Sequence, residues 1–240
     1  MKFFLAAIAL ATFALQAAQA ETVRFQASDG VAVTAEFQAP AAGYSTIIVL
    51  FHQARSSRGE YAQIADRLNA MGYATLAVDQ RSGGQANGVR NQTVAELGGS
   101  TGFAQAIPDL IAAAAWARQQ PGARTVGVLG SSYSSSLVLV LAGRDPTFAD
   151  AVMSFSPGEY FGTPNFVSSE VGRIQVPVFL TAARSETDQW RPFEQRINSV
   201  VTGFVPRGAG RHGASALDSS DGAEYWAALA QFLSQHLPAG

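Results

Sequence analysis

The residues of this chain that could do covalent chemistry are a few serines and histidines, and their order is informative. Gly130-Ser131-Ser132-Tyr133-Ser134 follows the apolar run Val126–Leu129 and leads into a helical pattern. A serine at the apex of a tight strand-to-helix turn has an exposed Oγ, and small neighbours are needed where strand and helix nearly touch. Spacing from Gly130 puts Ser132 rather than Ser131 at that apex, and Ser134 takes the position of the usual second glycine. Alone, the same serines would read as an ordinary helix N-cap.

A serine nucleophile needs a general base, and histidine occurs only at positions 52, 212 and 236. His236 lies near the end of the closing helical pattern, which suits a surface or capping role. His52 directly follows the buried run Thr46–Phe51, a scaffold position. His212 lies in the loop Gly208-Ala209-Gly210-Arg211-His212-Gly213, with room for an acid between it and Ser132. That loop also matches G-x-G-x-x-G, but too few residues follow to complete a dinucleotide-binding unit. The acid should follow a strand. Glu186 and Asp188, after Val176–Thr181, both qualify; Asp188 could instead cap the next helix, so Glu186 ranks first. Glu159, after Ala151–Phe155, ranks third.

Composition narrows the chemistry further. The 240 residues contain no cysteine, so thiolate zinc sites and cysteine nucleophiles are excluded. The only lysine is Lys2, which leaves no phosphate-loop or Schiff-base lysine. With so few histidines, no metal or other cofactor is expected. A pI of about 5.9 and dispersed arginines offer no patch for nucleic acid. Residues 1–20 read as a signal peptide: Lys2, an apolar run from Phe3 to Leu15, then Ala18-Gln19-Ala20. Its removal would take the net charge from −2 to −3 and leave residues 21–240 as one exported domain, periplasmic or secreted, without a stable membrane anchor. Asn91-Gln92-Thr93 is a glycosylation sequon, relevant only to a eukaryotic secretory route.

The positioning elements follow from apolar periodicity. Thr22–Ala27 and Val31–Gln38 alternate around Ser28-Asp29-Gly30, a hairpin signal. Buried strands are predicted at Thr46–Phe51 and Tyr73–Val78, and further strands at Thr125–Leu129, Ala151–Phe155, Val176–Thr181 and Val200–Val205. Helices are predicted at Tyr61–Met71, Pro108–Gln119, Ser134–Ala142, Asp188–Asn198 and Ala223–His236. Such alternation predicts an α/β fold with a mostly parallel sheet, helices on both faces and sites at the strands' carboxyl ends. The Gly-rich segment Gln80–Gly102 is expected to be a cleft wall, a lid or mobile surface.

VGVLGSSYSS, VPVFLTAARSETD, GAGRHG and IIVLFHQA together resemble the α/β-hydrolase superfamily, specifically its small dienelactone-hydrolase-like members. The resemblance covers essentially all of 21–240. It implies a serine hydrolase cleaving a small-molecule ester, lactone or thioester through an acyl-enzyme, with an amidase or peptidase as a variant. It also implies the chain order Ser, acid, His, with Glu186 where the family usually has Asp. Backbone N–H groups of Gln53 and Tyr133 would then form the oxyanion hole. With about 20 residues (Ser156–Gln175) between two strands, no large cap is expected. Tyr160, Phe161, Phe166 and Trp190 are candidates for an apolar acyl pocket. The alternative is a binding or scaffold protein that keeps the fold without turnover.

Overall fold

The structure, a computed structural model, describes residues 20–239. The expected signal peptide therefore lies outside the described residues, apart from Ala20. The N-terminal hairpin forms as antiparallel strands β1 (Ala20–Gln26) and β2 (Ala32–Gln38). The continuous apolar runs become β3 (Thr46–Phe51) and β4 (Ala74–Asp79), both buried along their whole length. β5 (Gln85–Ala86) and β6 (Val89–Arg90) form a separate small hairpin. β7 (Thr125–Ser131), β8 (Ala151–Phe155), β9 (Val178–Thr181) and β10 (Val201–Phe204) complete the chain's strands among the described residues. Eight of these strands form one sheet in the order β1-β2-β4-β3-β7-β8-β9-β10. Every pairing from β4 to β10 is parallel, and β2 joins β4 antiparallel.

Parallel strands carry helices on both faces, so both faces must be apolar. Along β3, Ile47, Val49 and Phe51 point into one core layer and Ile48 and Leu50 into the other. The first layer is covered by α3 (Ile107–Arg118), α4 (Tyr133–Arg144) and α5 (Thr187–Glu194), through Leu110, Leu137 and Trp190 among others. The second is covered by α1 (Ala62–Ala70) and α6 (Gly222–His236), through Ile64, Leu68, Trp226 and Leu229. This is the expected α/β-hydrolase architecture, and no large cap interrupts it.

Differences from the predicted elements have local causes. β9 starts at Val178, not Val176, because Pro177 has no N–H to pair. The helix predicted to reach Asn198 ends at Glu194, after which Arg196 and Ile197 donate back to the Phe193 carbonyl in tightened turns. The segment Gln80–Gly102 is folded rather than loose. Besides the small hairpin it contains α2 (Gln92–Leu97), capped by Asn91 Oδ1 accepting from Val94 N–H at 2.8 Å. Asn91 is fully buried; its Nδ2 donates to the Gln80 carbonyl at 2.8 Å and faces His52 Nε2 at 3.1 Å. The sequon is therefore not a surface site in the folded chain.

Arg81 pins the start of this segment. Its guanidinium holds the fully buried Asp109 of α3 at 2.6 Å and the more exposed Asp29 of the first hairpin turn at 2.5 Å. Removing one partner of a buried pair leaves the other charge unsatisfied. Asp109→Ala should lower stability by about 3 kcal/mol. Asp29→Ala should cost less than about 1 kcal/mol, because its carboxylate is solvated. Urea unfolding of both variants checks the order.

Candidate active site

β7 ends and α4 begins within one residue, so the chain must reverse at Ser132. Its φ of 59° and ψ of −123° lie in a region that side-chain-bearing residues rarely adopt. The Ser132 N–H donates to the Phe155 carbonyl at 2.8 Å, which fixes the turn to the end of β8. Gly130 is obligatory: a Cβ there would come 2.5 Å from the Ser134 carbonyl oxygen. Ser134 is not a weakened glycine. Its buried hydroxyl donates to the Phe51 carbonyl at 2.6 Å and accepts from Ser131 N–H at 2.9 Å, joining the ends of β3 and β7.

His212 Nε2 lies 2.8 Å from Ser132 Oγ, and His212 Nδ1 lies 2.6 Å from Glu186 Oε1. The other Glu186 oxygen accepts from the Ser156 hydroxyl at 2.7 Å and from Ala183 N–H at 3.3 Å. The Ser156 Oγ in turn accepts from Gly213 N–H at 2.9 Å, tying the acid to the histidine loop. Gly213 has φ +70°, and a Cβ on it would meet Ser131 Oγ at 2.5 Å. Burial opposes ionisation of Glu186, but His212, Ser156 and Ala183 outweigh it and hold the carboxyl below its usual range. The Glu186 hydrogen bond raises the His212 imidazole above its ordinary value, against the opposing effect of burial.

Asp188 is not part of this constellation. It lies exposed in the first turn of α5, and Glu186, on the preceding turn, occupies the position beside His212. Glu159 is used elsewhere: its carboxylate accepts from Val167 and Ser168 N–H groups at 2.9 and 2.8 Å. His52 is fully buried, with Nδ1 2.8 Å from the Gln53 carbonyl. Burial pushes it down to about 4, so it stays neutral as a scaffold residue. His236 is a half-buried residue of α6 beside Phe232.

The expectation for Gln53 needs correction. Its N–H donates to the buried Glu60 carboxylate, at 2.9 Å from Oε2, and is not free for an oxyanion. The next N–H, that of Ala54, has no acceptor among the described residues. Tyr133 keeps an available N–H because the first residue of a helix has no intrahelical acceptor. Its side chain fixes the turn from below, with the phenol oxygen 2.9 Å from Gln80 Nε2 and the ring stacked on Phe103 at 4.4 Å.

Two cavities adjoin residues around the serine turn, although Ser132 itself lines neither. One, of about 430 Å³, is lined by residues 102–105 together with Tyr160 and Phe161. The other, of about 580 Å³, is polar and includes His212, Gln53, Glu60, Arg211 and Asp218. Of the aromatic candidates, Tyr160 and Phe161 line the first cavity. Phe166 packs on Phe161 at 4.4 Å, and Trp190 is a buried core residue rather than a pocket residue. Sequence reasoning missed Phe103, Ser156 and Glu60. The last two could have been found, since each is a polar residue in the segment just after a buried strand. Among the described residues no cluster of three or more histidines or carboxylates could hold a metal ion.

Comparison with known proteins agrees with the fold. Residues 44–180 match the family described as Serine aminopeptidase, S33. No curated protein sequence matches the chain. Among solved structures, a dienelactone hydrolase from Anabaena variabilis superposes with a TM-score of 0.71 at 18% identity, covering 92% of this chain and 100% of that one. The Pyrococcus furiosus esterase Pf2001 gives 0.69 at 17% identity over 92% and 91% of the two chains. The Pyrococcus horikoshii acylaminoacyl peptidase gives 0.68 at 15% identity, over 93% of this chain but 42% of that longer one. With a serine turn on a parallel sheet and a matched family spanning more than half its length, the chain belongs to the family described as Serine aminopeptidase, S33, is a serine hydrolase, and shares its α/β-hydrolase fold with the dienelactone hydrolase.

Proposed function

We propose that this protein is an exported carboxylic ester hydrolase that works through an acyl-enzyme on Ser132. The observation that carries the reading is the continuous hydrogen-bonded line Ser132–His212–Glu186, built on a serine at positive φ. His212 takes the Ser132 proton as Oγ attacks the ester carbonyl, and Glu186 steadies the resulting imidazolium. The oxyanion develops beside the N–H groups of Tyr133 and Ala54, the latter in place of Gln53. His212 then gives its proton to the leaving oxygen, and water repeats the sequence to release the acid.

The same proton transfer orients the substrate. The leaving group must lie beside the imidazole, which assigns it to the polar cavity that His212 lines. The acyl part goes to the cavity of Phe103, Tyr160 and Phe161. The residues lining that cavity include no carboxylate, so the free α-amine of an aminoacyl substrate would meet no opposite charge there. This favours an uncharged acyl group, in an ester, lactone or thioester, over an amino-terminal peptide.

A fluorophosphonate probe should label Ser132, as located by mass spectrometry, and His212→Ala should lower kcat/KM on p-nitrophenyl esters by about 10³-fold or more. Aminoacyl p-nitroanilides should react poorly; equal or better turnover of them would reverse the substrate assignment.

The base must be neutral to work, so activity should fall as pH drops through the raised His212 value, giving an acid limb centred above the ordinary imidazole value of about 6.5. Glu186→Gln removes the partner that raises it, so the limb should move to lower pH while kcat drops. A pH–rate profile of both proteins reads this directly.

Export is proposed on the pattern of residues 1–20 alone. Amino-terminal sequencing of protein from the periplasmic or secreted fraction should begin at Glu21.

A further inference from the structure

The proposed reaction uses one carboxylate, yet a second one is buried beside the same serine turn. Glu60 lies on the turn entering α1 and is only 7% exposed. Its Oε2 accepts from Gln53 N–H at 2.9 Å, and its Oε1 accepts from Ser131 Oγ at 2.7 Å. Ser131 Oγ in turn accepts from Ala214 N–H at 2.9 Å. Three separate loops therefore converge on one carboxylate: the segment after β3, the serine turn after β7, and the histidine loop after β10. Gln53 and Ser131 both donate to it, which favours the ionised form, while burial works the other way and pushes the carboxyl above its ordinary range. A charge in so enclosed a place is expensive.

We infer that Glu60 is a positioning residue: its carboxylate locks the segment carrying the Ala54 N–H, the serine turn and the His212 loop into one working geometry, and its negative charge supports the His212 imidazolium. By occupying the Gln53 N–H it also determines which backbone donor remains available beside Ser132. The charged and titratable groups around His212 are few. Glu186 approaches from the turn after β9, Glu60 from the turn before α1, Arg211 is its chain neighbour, and Asp218 lines the same polar cavity. Tyr61 and Tyr133, two phenols close to Glu60, are buried and pushed upward, so they remain neutral and add no second negative charge there. Glu60 thus adds to the raising effect of Glu186 on His212.

This inference rests on the Ser132–His212 reading, and its test must separate the two. Histidine titration by NMR reads His212 whether or not the protein turns over substrate. Glu60→Gln removes the charge and keeps the size. The His212 midpoint should fall by about half a pH unit or more, and kcat should fall about tenfold while KM changes less than about threefold. Glu60→Asp, which restores the charge, should bring the midpoint back towards wild type. Ser131→Ala keeps the charge but cuts the link to the histidine loop, so it should lower kcat and leave the midpoint in place. It also provides the reading if Glu60→Gln does not fold. Wild-type kcat with an unmoved midpoint in folded Glu60→Gln, or wild-type kcat in folded Ser131→Ala, would overturn the proposal. Failure of the fluorophosphonate to label wild-type Ser132 would instead remove the underlying catalytic reading, with the titration result still standing.

Discussion

Holding a serine at φ 59°, ψ −123° costs on the order of 1–3 kcal/mol, and the residues around Ser132 must offset that strain together. They do so with hydroxyls. Ser134 bridges Phe51 and Ser131, Ser135 donates to the Ser132 carbonyl, and Ser136 both donates to and accepts from Gly158. All three are fully buried. The run that looks like a low-complexity helix cap is a set of short links that tie the serine turn and its helix to the ends of β3 and β7 and to the loop after β8. If one strand end shifted, the hydroxyl chain would transmit the movement to the serine turn.

The same economy of parts extends to the acids. Glu186 is partly exposed and held below its usual range because the imidazole and two further donors face it, whereas burial pushes the Glu60 carboxyl upward against the donors that solvate it. Two carboxylates near one histidine thus sit in opposite environments. Environment rather than residue type separates the group that meets the imidazole from the group that organises the loops.

Much of the architecture was legible in the sequence because β3, β4 and β8 are buried throughout and β7 beyond its first residue, and such burial writes a largely apolar run. Ser132, His212 and Glu186 were legible because each follows a strand in a fixed order. The order of the 80–102 segment was not. It comes from Arg81 reaching Asp109 and Asp29, and from Asn91 reaching His52, long-range polar pairs that leave no periodicity. Between Glu186 and Asp188 the sequence offered only a ranking, from the capping alternative open to Asp188, because one short turn separates them and the backbone decides which faces the imidazole. Position within the family pattern pointed to Gln53, but an acid seven residues further on had already taken its N–H.

The burial of Asn91 bears on how the chain can be made. Folded, its amide is enclosed between His52 and the Gln80 carbonyl, and Thr93 of the same sequon accepts the Thr34 N–H at 2.9 Å. In a eukaryotic secretory host, oligosaccharide transfer acts on the nascent, still extended chain, before that enclosure exists. A sugar attached then would fill the space that the histidine and the 80–102 segment must share. Biogenesis there becomes a race between the closing of this segment and a modification that would prevent it, a race that a bacterial export route does not impose.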